Sequence, residues 1–155
     1  MSKVIRLLEY VLVVLITIMT IDVIWQVASR YLFQSPSSFT DELAGFLLVW
    51  VGLLGAAYAL GKRAHLAIDI LPKKLEGRSR VALLMIIECC ITLFSIGVMV
   101  IGGTNLVYLT FTLEQKSASL QIPLGYVYII LPISGLLMAY FSLNHMLESR
   151  KDIVK

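Results

Sequence analysis

Four long apolar runs dominate the sequence and leave few folds open to it. They cover roughly residues 7–33, 43–60, 81–109 and 123–143. A helix needs about 20 mainly apolar residues to cross the hydrocarbon core of a bilayer. Helix is expected because a segment in lipid must satisfy its own backbone hydrogen bonds, and the runs lack the alternation of a membrane β-strand. The sequence therefore predicts an all-α integral membrane protein, with four transmembrane helices in a single domain over residues 1–155.

Composition supports a membrane protein and argues against a soluble domain or a nucleic-acid-binding protein. The chain is 59% hydrophobic and only 15% charged, whereas soluble domains carry about 25% charged residues. The net charge of +3 does not indicate nucleic-acid binding, because the basic residues form no stripe with interleaved aromatics. The first apolar run is too long for the core of a cleaved signal peptide, so we expect it to remain as a helix.

Lysine and arginine are sorted between the connecting segments. Of the 13 such residues, all but Arg30 and Lys116 lie in the N-terminal tail, the middle loop or the C-terminal tail. Cytoplasmic segments retain Lys and Arg. Both termini and the middle loop are therefore predicted to be cytoplasmic, and the short connections at about 34–42 and 110–122 to face the periplasm of a bacterium. Residues 64–71 of the middle loop predict a short amphipathic helix at the membrane surface.

Helix boundaries carry recognisable signals. Ser38 with Asp41, or Thr40 alone, is predicted to cap the second helix. Pro123 is predicted to occupy the first turn of the fourth helix. Pro132 lies inside that helix and is predicted to kink it, which membrane helices tolerate.

Polar residues inside the apolar runs are the main candidates for function. Asp22, Gln26 and Arg30 recur at a spacing of four and line one face of the first helix, whereas Glu88 stands alone in the third. A charge at the bilayer centre costs at least about 2.5 kcal/mol unless it is paired, so these groups should face protein or water. They are either part of an ion or proton relay, or contacts within the bundle or with a partner. Two acids on two helices make a poor relay, which favours the contacts.

Other reactive side chains have simpler interpretations. Cys89 and Cys90 are adjacent rather than spaced as a redox pair, and we expect both to be small buried residues. His65 and Asp69 lie four apart but offer too few ligands for a metal ion. His145 is alone near the C-terminal tail. We therefore expect no metal, no cofactor and no catalytic residue.

Small residues spaced four apart predict close helix packing in lipid. These positions are Gly52 with Ala56 and Gly55 with Ala59 in the second run, and Gly135 with Ala139 in the fourth. Packing within the bundle and packing against an external partner both remain open.

Several features of enzymes and of complete transporters are missing from the sequence. It contains no nucleophile–base arrangement and no phosphate-binding loop. It lacks the repeats and interrupted helices that surround the central site of a transporter. The predicted exterior loops are too short to form a ligand-binding domain. The chain is therefore predicted to be a non-enzymatic membrane subunit that works with a larger partner.

A series of short motifs runs through nearly the whole chain. In order, they are Arg30-Tyr31, Asp41-Glu42-Leu43, Trp50, Gly55-Ala56, Arg63 with His65 and Asp69, Ile122-Pro123, Tyr128 and Pro132. Their order and spacing resemble the small Q-type (DctQ-like) membrane subunit of tripartite ATP-independent periplasmic (TRAP) transporters.

The resemblance implies a function and a set of partners. Such subunits lie in the bacterial inner membrane, where they brace the scaffold of a large M-type subunit. The large subunit carries substrate and sodium by an elevator motion. A periplasmic binding protein delivers the substrate, a small carboxylate such as sialic acid or a C4-dicarboxylate. The implied contacts are Asp22, Gln26 and Glu88 in the bundle or with the large subunit, Arg30, Asp41, Glu42 and Lys116 at the exterior face, and Arg63, His65 and Asp69 at the cytoplasmic elbow.

Two alternatives belong to other classes. One is a small self-sufficient transporter that acts as a dimer of four-helix chains, like the small multidrug exporters, with Asp22 as its essential acid. The basic middle loop and the extra length of the chain argue against it. The other is a membrane enzyme or redox protein, which would need a catalytic cluster that the sequence lacks.

Overall fold

The computed structural model describes residues 2–32, 37–62 and 77–151, and its regular elements there are helices. They are α1 (Ser2–Tyr31), α2 (Ser38–Gly61), α3 (Gly77–Phe94), a π-helical segment (Ser95–Gly102), α4 (Gly103–Thr112), α5 (Leu124–Tyr128) and α6 (Ile130–Lys151). In the part of the chain described, the only β-type pairing is an isolated bridge between Lys116 and Pro123.

Four stretches are long and apolar enough to cross a membrane, as predicted. They are Lys3–Tyr31, Ser38–Gly61, Val81–Thr112 and Leu124–Leu147. The third runs without interruption through α3, the π-helical segment and α4. The 30 residues of α1 extend about 45 Å, more than the ~30 Å hydrocarbon core, so α1 must tilt or protrude. The predicted surface helix at 64–71 lies outside the described residues.

Helix α6 is central to the bundle. It packs against α2, α3 and the π-helical segment, whereas α1 packs chiefly against α2. The buried core comprises Leu8, Leu12, Leu54, Leu60, Ile130 and Phe141. Many large apolar side chains of α1 are exposed. In lipid such exposure carries no hydrophobic penalty, so close packing and hydrogen bonds must hold the helices together.

Glycines allow the third and fourth spans to approach closely. A Cβ atom at Gly135 would lie 2.7 Å from Cβ of Met99 and 3.1 Å from the carbonyl oxygen of Ser95. A Cβ atom at Gly103 would lie 3.0 Å from Cβ of Leu131. The structure therefore agrees with the close approach predicted at Gly135.

The fourth span is interrupted near Pro132, where a kink was predicted. Helix α5 ends at Tyr128 and α6 begins at Ile130. Proline has no N–H to donate to the carbonyl four residues earlier, and its ring pushes that carbonyl away. The next bond, from Ile133 N–H to the Ile129 carbonyl, is long at 3.5 Å. Pro123 is the residue before α5, one position earlier than predicted.

The cap predicted for the second helix is wrong. Ser37 is the N-cap residue, and its side chain makes no capping hydrogen bond. Thr40 Oγ1 instead donates to the Ser37 carbonyl oxygen at 3.0 Å. The Asp41 carboxylate turns towards α1, where it accepts a hydrogen bond from Gln26.

Candidate functional site

Polar side chains gather at both ends of the bundle. We call the outer end the one that holds the α1–α2 connection and the outer loop, residues 113–123 between α4 and α5. It is named for its predicted periplasmic orientation. The inner end holds the start of α1, the end of α2 and the end of α6. The polar clusters at the two ends differ in composition.

Glu42 is the centre of the outer cluster. Its Oε2 atom accepts hydrogen bonds from Ser117 Oγ at 3.1 Å and from the Ser119 and Leu120 N–H groups at 2.9 and 2.8 Å. Its Oε1 atom accepts one from the Ala118 N–H at 3.0 Å. Successive backbone N–H groups that converge in this way form a nest for an anion, and bonds to a carboxylate are stronger than neutral ones. Glu42 thus ties α2 to a loop more than 70 residues away.

The outer loop is folded as a small hairpin. The Ser117 N–H donates to the Ile122 carbonyl oxygen and the Leu124 N–H to that of Gln115, both at 2.9 Å. Gln121 adopts a left-handed backbone conformation, with φ of 55°, which reverses the chain direction. These bonds leave the N–H groups of residues 118–120 to the Glu42 carboxylate.

The other outer residues predicted to be contacts lie between α1 and α2. Gln26 Nε2 donates to Asp41 Oδ1 at 2.5 Å. Arg30 is exposed and lines a small open pocket with Gln26, Asp41 and two serines, Ser37 and Ser38. Gln26 was predicted to be one of the intramembrane contacts, but it forms its hydrogen bond with Asp41 at the outer end.

The polar stripe of α1 passes from buried to exposed. Asp22 is buried, Gln26 is half-buried and Arg30 is exposed. The Oδ2 atom of Asp22 is buried and has no hydrogen-bond partner among the residues the structure describes. A buried carboxylate oxygen without a hydrogen-bond donor costs free energy. An additional donor beside Asp22 Oδ2 would therefore be favourable.

The inner cluster joins α3 to α6 through Glu88. Its Oε1 atom lies 3.2 Å from Nδ1 of His145, and Oε2 lies 2.5 Å from Ser142 Oγ. Thr92 Oγ1 donates to Ser142 Oγ at 3.0 Å. His145 is only 2% exposed, and its Nε2 atom is buried with no partner in the described part of the chain. The cluster is thus a nearly closed hydrogen-bond network between two helices.

The sequence interpretation treated Glu88 and His145 as isolated, which is wrong. They are 57 residues apart and meet where α3 and α6 pack together. The local spacing of these polar residues indicated part of this arrangement. Glu88 and Thr92 are four apart, and Ser142 and His145 are three apart, so each pair shares a helix face.

A separate ion pair joins the start of α1 to the end of α2. Lys62 Nζ lies 3.6 Å from Glu9 Oε2 and 4.8 Å from the centre of the Tyr58 ring. The side-chain interaction with Tyr58 and the negative charge of Glu9 raise the pKa of Lys62. Both members of the pair are well exposed, so the contribution to stability is small. The predicted elbow residues Arg63, His65 and Asp69 lie outside the described residues.

Two of the small residues of α2 that were predicted to pack closely, Gly52 and Gly55, have free space beside them. A Cβ atom at Gly52 or Gly55 would meet nothing within 4 Å. Ala56 and Ala59 are half-buried. The free space beside Gly52 and Gly55 contrasts with Gly135, where a Cβ atom would lie 2.7 Å from Cβ of Met99.

The prediction that Cys89 and Cys90 are buried is wrong, because both are exposed. Glu88 faces α6, and each successive helix position is rotated by about 100° from the one before. The two cysteines therefore lie away from that contact. Within the described ranges, no three His, Cys, Asp or Glu side chains converge in the manner of a metal site.

The fold and its polar clusters define a multi-pass helical membrane protein. The family model for tripartite ATP-independent periplasmic transporters, DctQ component, matches residues 18–152. The chain belongs to this family, as the motifs predicted, and is a small TRAP transporter permease protein of the bacterial inner membrane.

Three relatives illustrate the similarity. The sialic acid TRAP transporter small permease protein SiaQ of Vibrio cholerae is 27% identical, over 82% of this chain and 72% of that protein. A putative TRAP transporter small permease protein of Haemophilus influenzae is 24% identical, over 93% of this chain and 88% of the relative. The isethionate TRAP transporter permease protein DctMQ of Oleidesulfovibrio alaskensis is 27% identical over 81% of this chain, which spans only 20% of that longer protein.

Proposed function

We propose that this chain supports a large M-type subunit in the sodium-coupled uptake of a small carboxylate, which a periplasmic binding protein delivers. The observation that carries the proposal is the match of residues 18–152 to the small-subunit family, together with four spans. In this proposal the chain catalyses no reaction and binds no cofactor. It acts through contacts with protein partners and with the surrounding lipid.

The relatives support a large partner and an anionic substrate. The segment matched in DctMQ is a fifth of that protein, which fits a small subunit joined to a longer chain. The names of two relatives include sialic acid and C4-dicarboxylate, both of which are carboxylates. Sialic acid or a C4-dicarboxylate is our candidate for the substrate of this transporter.

The face proposed to meet the large subunit is the open side of α1 and α2. Helices in lipid associate through small residues that let their backbones approach. Gly52 and Gly55 have free space where a Cβ atom would stand. An approaching helix of the large subunit would fill that space.

The outer end is proposed to meet the binding protein and the large subunit. Arg30 and Lys116 are exposed there, at the end of the bundle opposite the start of α1 and the end of α6. Glu42 and Asp41 are engaged within the chain, so they act by shaping this end rather than by direct contact.

Reconstitution tests the proposal directly. The large subunit, the binding protein and this chain would be placed in liposomes, and uptake of labelled sialic acid and of succinate measured with and without a sodium gradient. We expect uptake of one of these substrates only when all three proteins and the gradient are present. Transport by the chain alone would instead support the dimeric exporter of the multidrug type.

A further inference from the structure

We infer that the third and fourth spans share a hinge in the middle of the bundle, and that Trp50 is the positioning residue that restricts its movement. The hinge comprises the π-helical segment Ser95–Gly102 and the break in the fourth span, residues 129–132. Between these two parts of the chain lie α4, the outer loop and α5, residues 103–128, which we call the outer body. The hinge is a property of this chain alone and does not depend on the proposed function.

Two irregular stretches of helix lie side by side at the hinge. In a π-helical segment the hydrogen bonds join residues five apart, and such segments inside α-helices often mark functional sites. In the fourth span, Pro132 removes one helical N–H. A Cβ atom at Gly135 would lie 3.1 Å from the carbonyl oxygen of Ser95, and one at Gly103 would lie 3.1 Å from Cδ of Pro132. Each span is therefore irregular where it meets the other, and helices bend at such places.

The outer body is held together by contacts of its own. Helix α5 packs more extensively against α4 than against α6. The rings of Phe111 and Tyr126 meet edge to face with their centroids 5.2 Å apart. A Cβ atom at Gly125 would lie 2.5 Å from Cε2 of Phe111. Helices α4 and α5 should therefore move together as one unit.

A second unit lies on the other side of the hinge. Glu88 joins α3 to α6 through Ser142 and His145. The end of α2 lies against α6, where a Cβ atom at Gly61 would be 3.1 Å from the ring of Phe141. We call α3 and α6 the inner body. A change of shape in the third and fourth spans would thus be concentrated at the hinge between the two bodies.

Helix α2 contacts both bodies, and Trp50 connects it to the outer body beside the break. Trp50 Nε1 donates to the Val127 carbonyl oxygen at 3.1 Å. In an unbroken helix that carbonyl would accept from the N–H of Leu131, four residues later. Breaks in membrane helices are tolerated when neighbouring helices supply such partners. Glu42 holds the far end of the outer body on α2, so loss of the Trp50 bond would let the outer body tilt about that attachment.

Distances between spin labels test the hinge in the full chain, held in lipid nanodiscs with Cys89 and Cys90 replaced by serine. One label pair, at Tyr108 and Leu147, connects the outer and inner bodies. The control pair, at Leu93 and Leu147, lies within the inner body. All three labelled side chains are exposed, so the labels should not disturb the packing.

Trp50→Phe removes the indole donor but retains an aromatic ring. It should broaden the distance distribution of the Tyr108–Leu147 pair by about twofold, because the hinge gains freedom, and leave the control pair unchanged. Thr92→Val is the matched variant, since it also removes one hydrogen bond between helices, from Thr92 Oγ1 to Ser142 Oγ. That bond lies inside the inner body, so Thr92→Val should broaden neither distribution.

Pro132→Ala separates a hinge from a general loss of stability. An N–H at position 132 can donate to the Tyr128 carbonyl, four residues earlier, and make the fourth span continuous. Combined with Trp50→Phe, it should restore the narrow distribution of the Tyr108–Leu147 pair. Alone, it should make that distribution narrower than in the wild type, which tests the hinge even if Trp50→Phe does not fold.

The contrary results are equally defined. Equal widths in the wild type and in Trp50→Phe would refute the role of Trp50. A distribution that Pro132→Ala leaves unchanged would refute a hinge at the break. Broadening of the control pair by Trp50→Phe, or of the Tyr108–Leu147 pair by Thr92→Val, would show a general loosening of the bundle and overturn the inference.

Discussion

At the scale of single residues, two carboxylates join distant parts of the described chain. Glu42 and Glu88 each accept several hydrogen bonds from residues more than 50 positions away. Glu42 bonds mainly backbone donors, so it shapes a loop. Glu88 bonds side chains on a neighbouring helix, so it joins two spans. In both cases donors within the chain supply the hydrogen bonds that water would otherwise make.

The Glu88–His145 contact should stabilise the fold of this chain. Glu88→Ala should lower the free energy of unfolding by about 1–3 kcal/mol, because it removes the only partner of buried His145 among the described residues. Ser142 would retain its bond to the carbonyl oxygen of residue 88. Thermal unfolding of the purified chain in detergent measures the loss. Cys89→Ser is the matched control, since that position is exposed beside Glu88 and should have little effect.

A double-mutant cycle with His145→Ala isolates the contact itself. Coupled residues show interaction energies of about 0.5–3 kcal/mol, so the double variant should be less destabilised than the sum of the single ones. Strict additivity would show that the Glu88–His145 contact contributes nothing to stability.

At the scale of helices, the glycines fall into two kinds. Gly135 on α6 and Gly103 on α4 are enclosed by neighbouring atoms, whereas Gly52 and Gly55 on α2 face open space. The first kind brings the third and fourth spans together within the chain. The second kind leaves free space on α2, and small residues of this kind allow another helix to pack closely in lipid.

The two kinds of glycine should respond differently to an added side chain. Gly135→Ala should destabilise the isolated chain by about 1–3 kcal/mol through overpacking against Met99. Gly52→Leu should leave its unfolding temperature nearly unchanged but reduce the yield of complex with the large subunit. Unfolding in detergent and co-purification are the two measurements.

Gly97 provides a control for Gly52→Leu. A Cβ atom at Gly97 would also meet nothing within 4 Å, but Gly97 lies on the π-helical segment rather than on α2. Gly97→Leu should affect neither measurement if α2 is the interface. Equal loss of complex from Gly52→Leu and Gly97→Leu would contradict a specific role for α2.

At the scale of the whole molecule, α6 organises the bundle and α1 lies at its edge. The distribution of Lys and Arg predicts that both termini lie in the cytoplasm. A reporter enzyme that is active only in the periplasm should therefore be active when fused after Ser37 and inactive when fused after Lys155. A reporter that requires the cytoplasm should give the opposite pattern. Activity of the cytoplasmic reporter after Ser37 would reverse the proposed topology.

The class, the four spans and the family could be predicted from the sequence because they depend on local properties. Whether 20 residues can cross a membrane is decided by their own composition and backbone hydrogen bonds. The interruption near Pro132 was predictable for the same reason, since proline disturbs only the turn before it. Asp22, Gln26 and Arg30 could be assigned to one face from their spacing alone.

Only the tertiary structure decided which polar groups meet. The pairing of Glu88 with His145 and of Glu42 with residues 117–120 depends on how distant helices pack, which no local pattern contains. The N-cap of α2 also escaped prediction, because Asp41 finds a better partner in Gln26 on α1. The sequence by itself determined the class of protein and its spans. Packing between helices determined which of its charges act within the chain and which, such as Arg30 and Lys116, remain exposed.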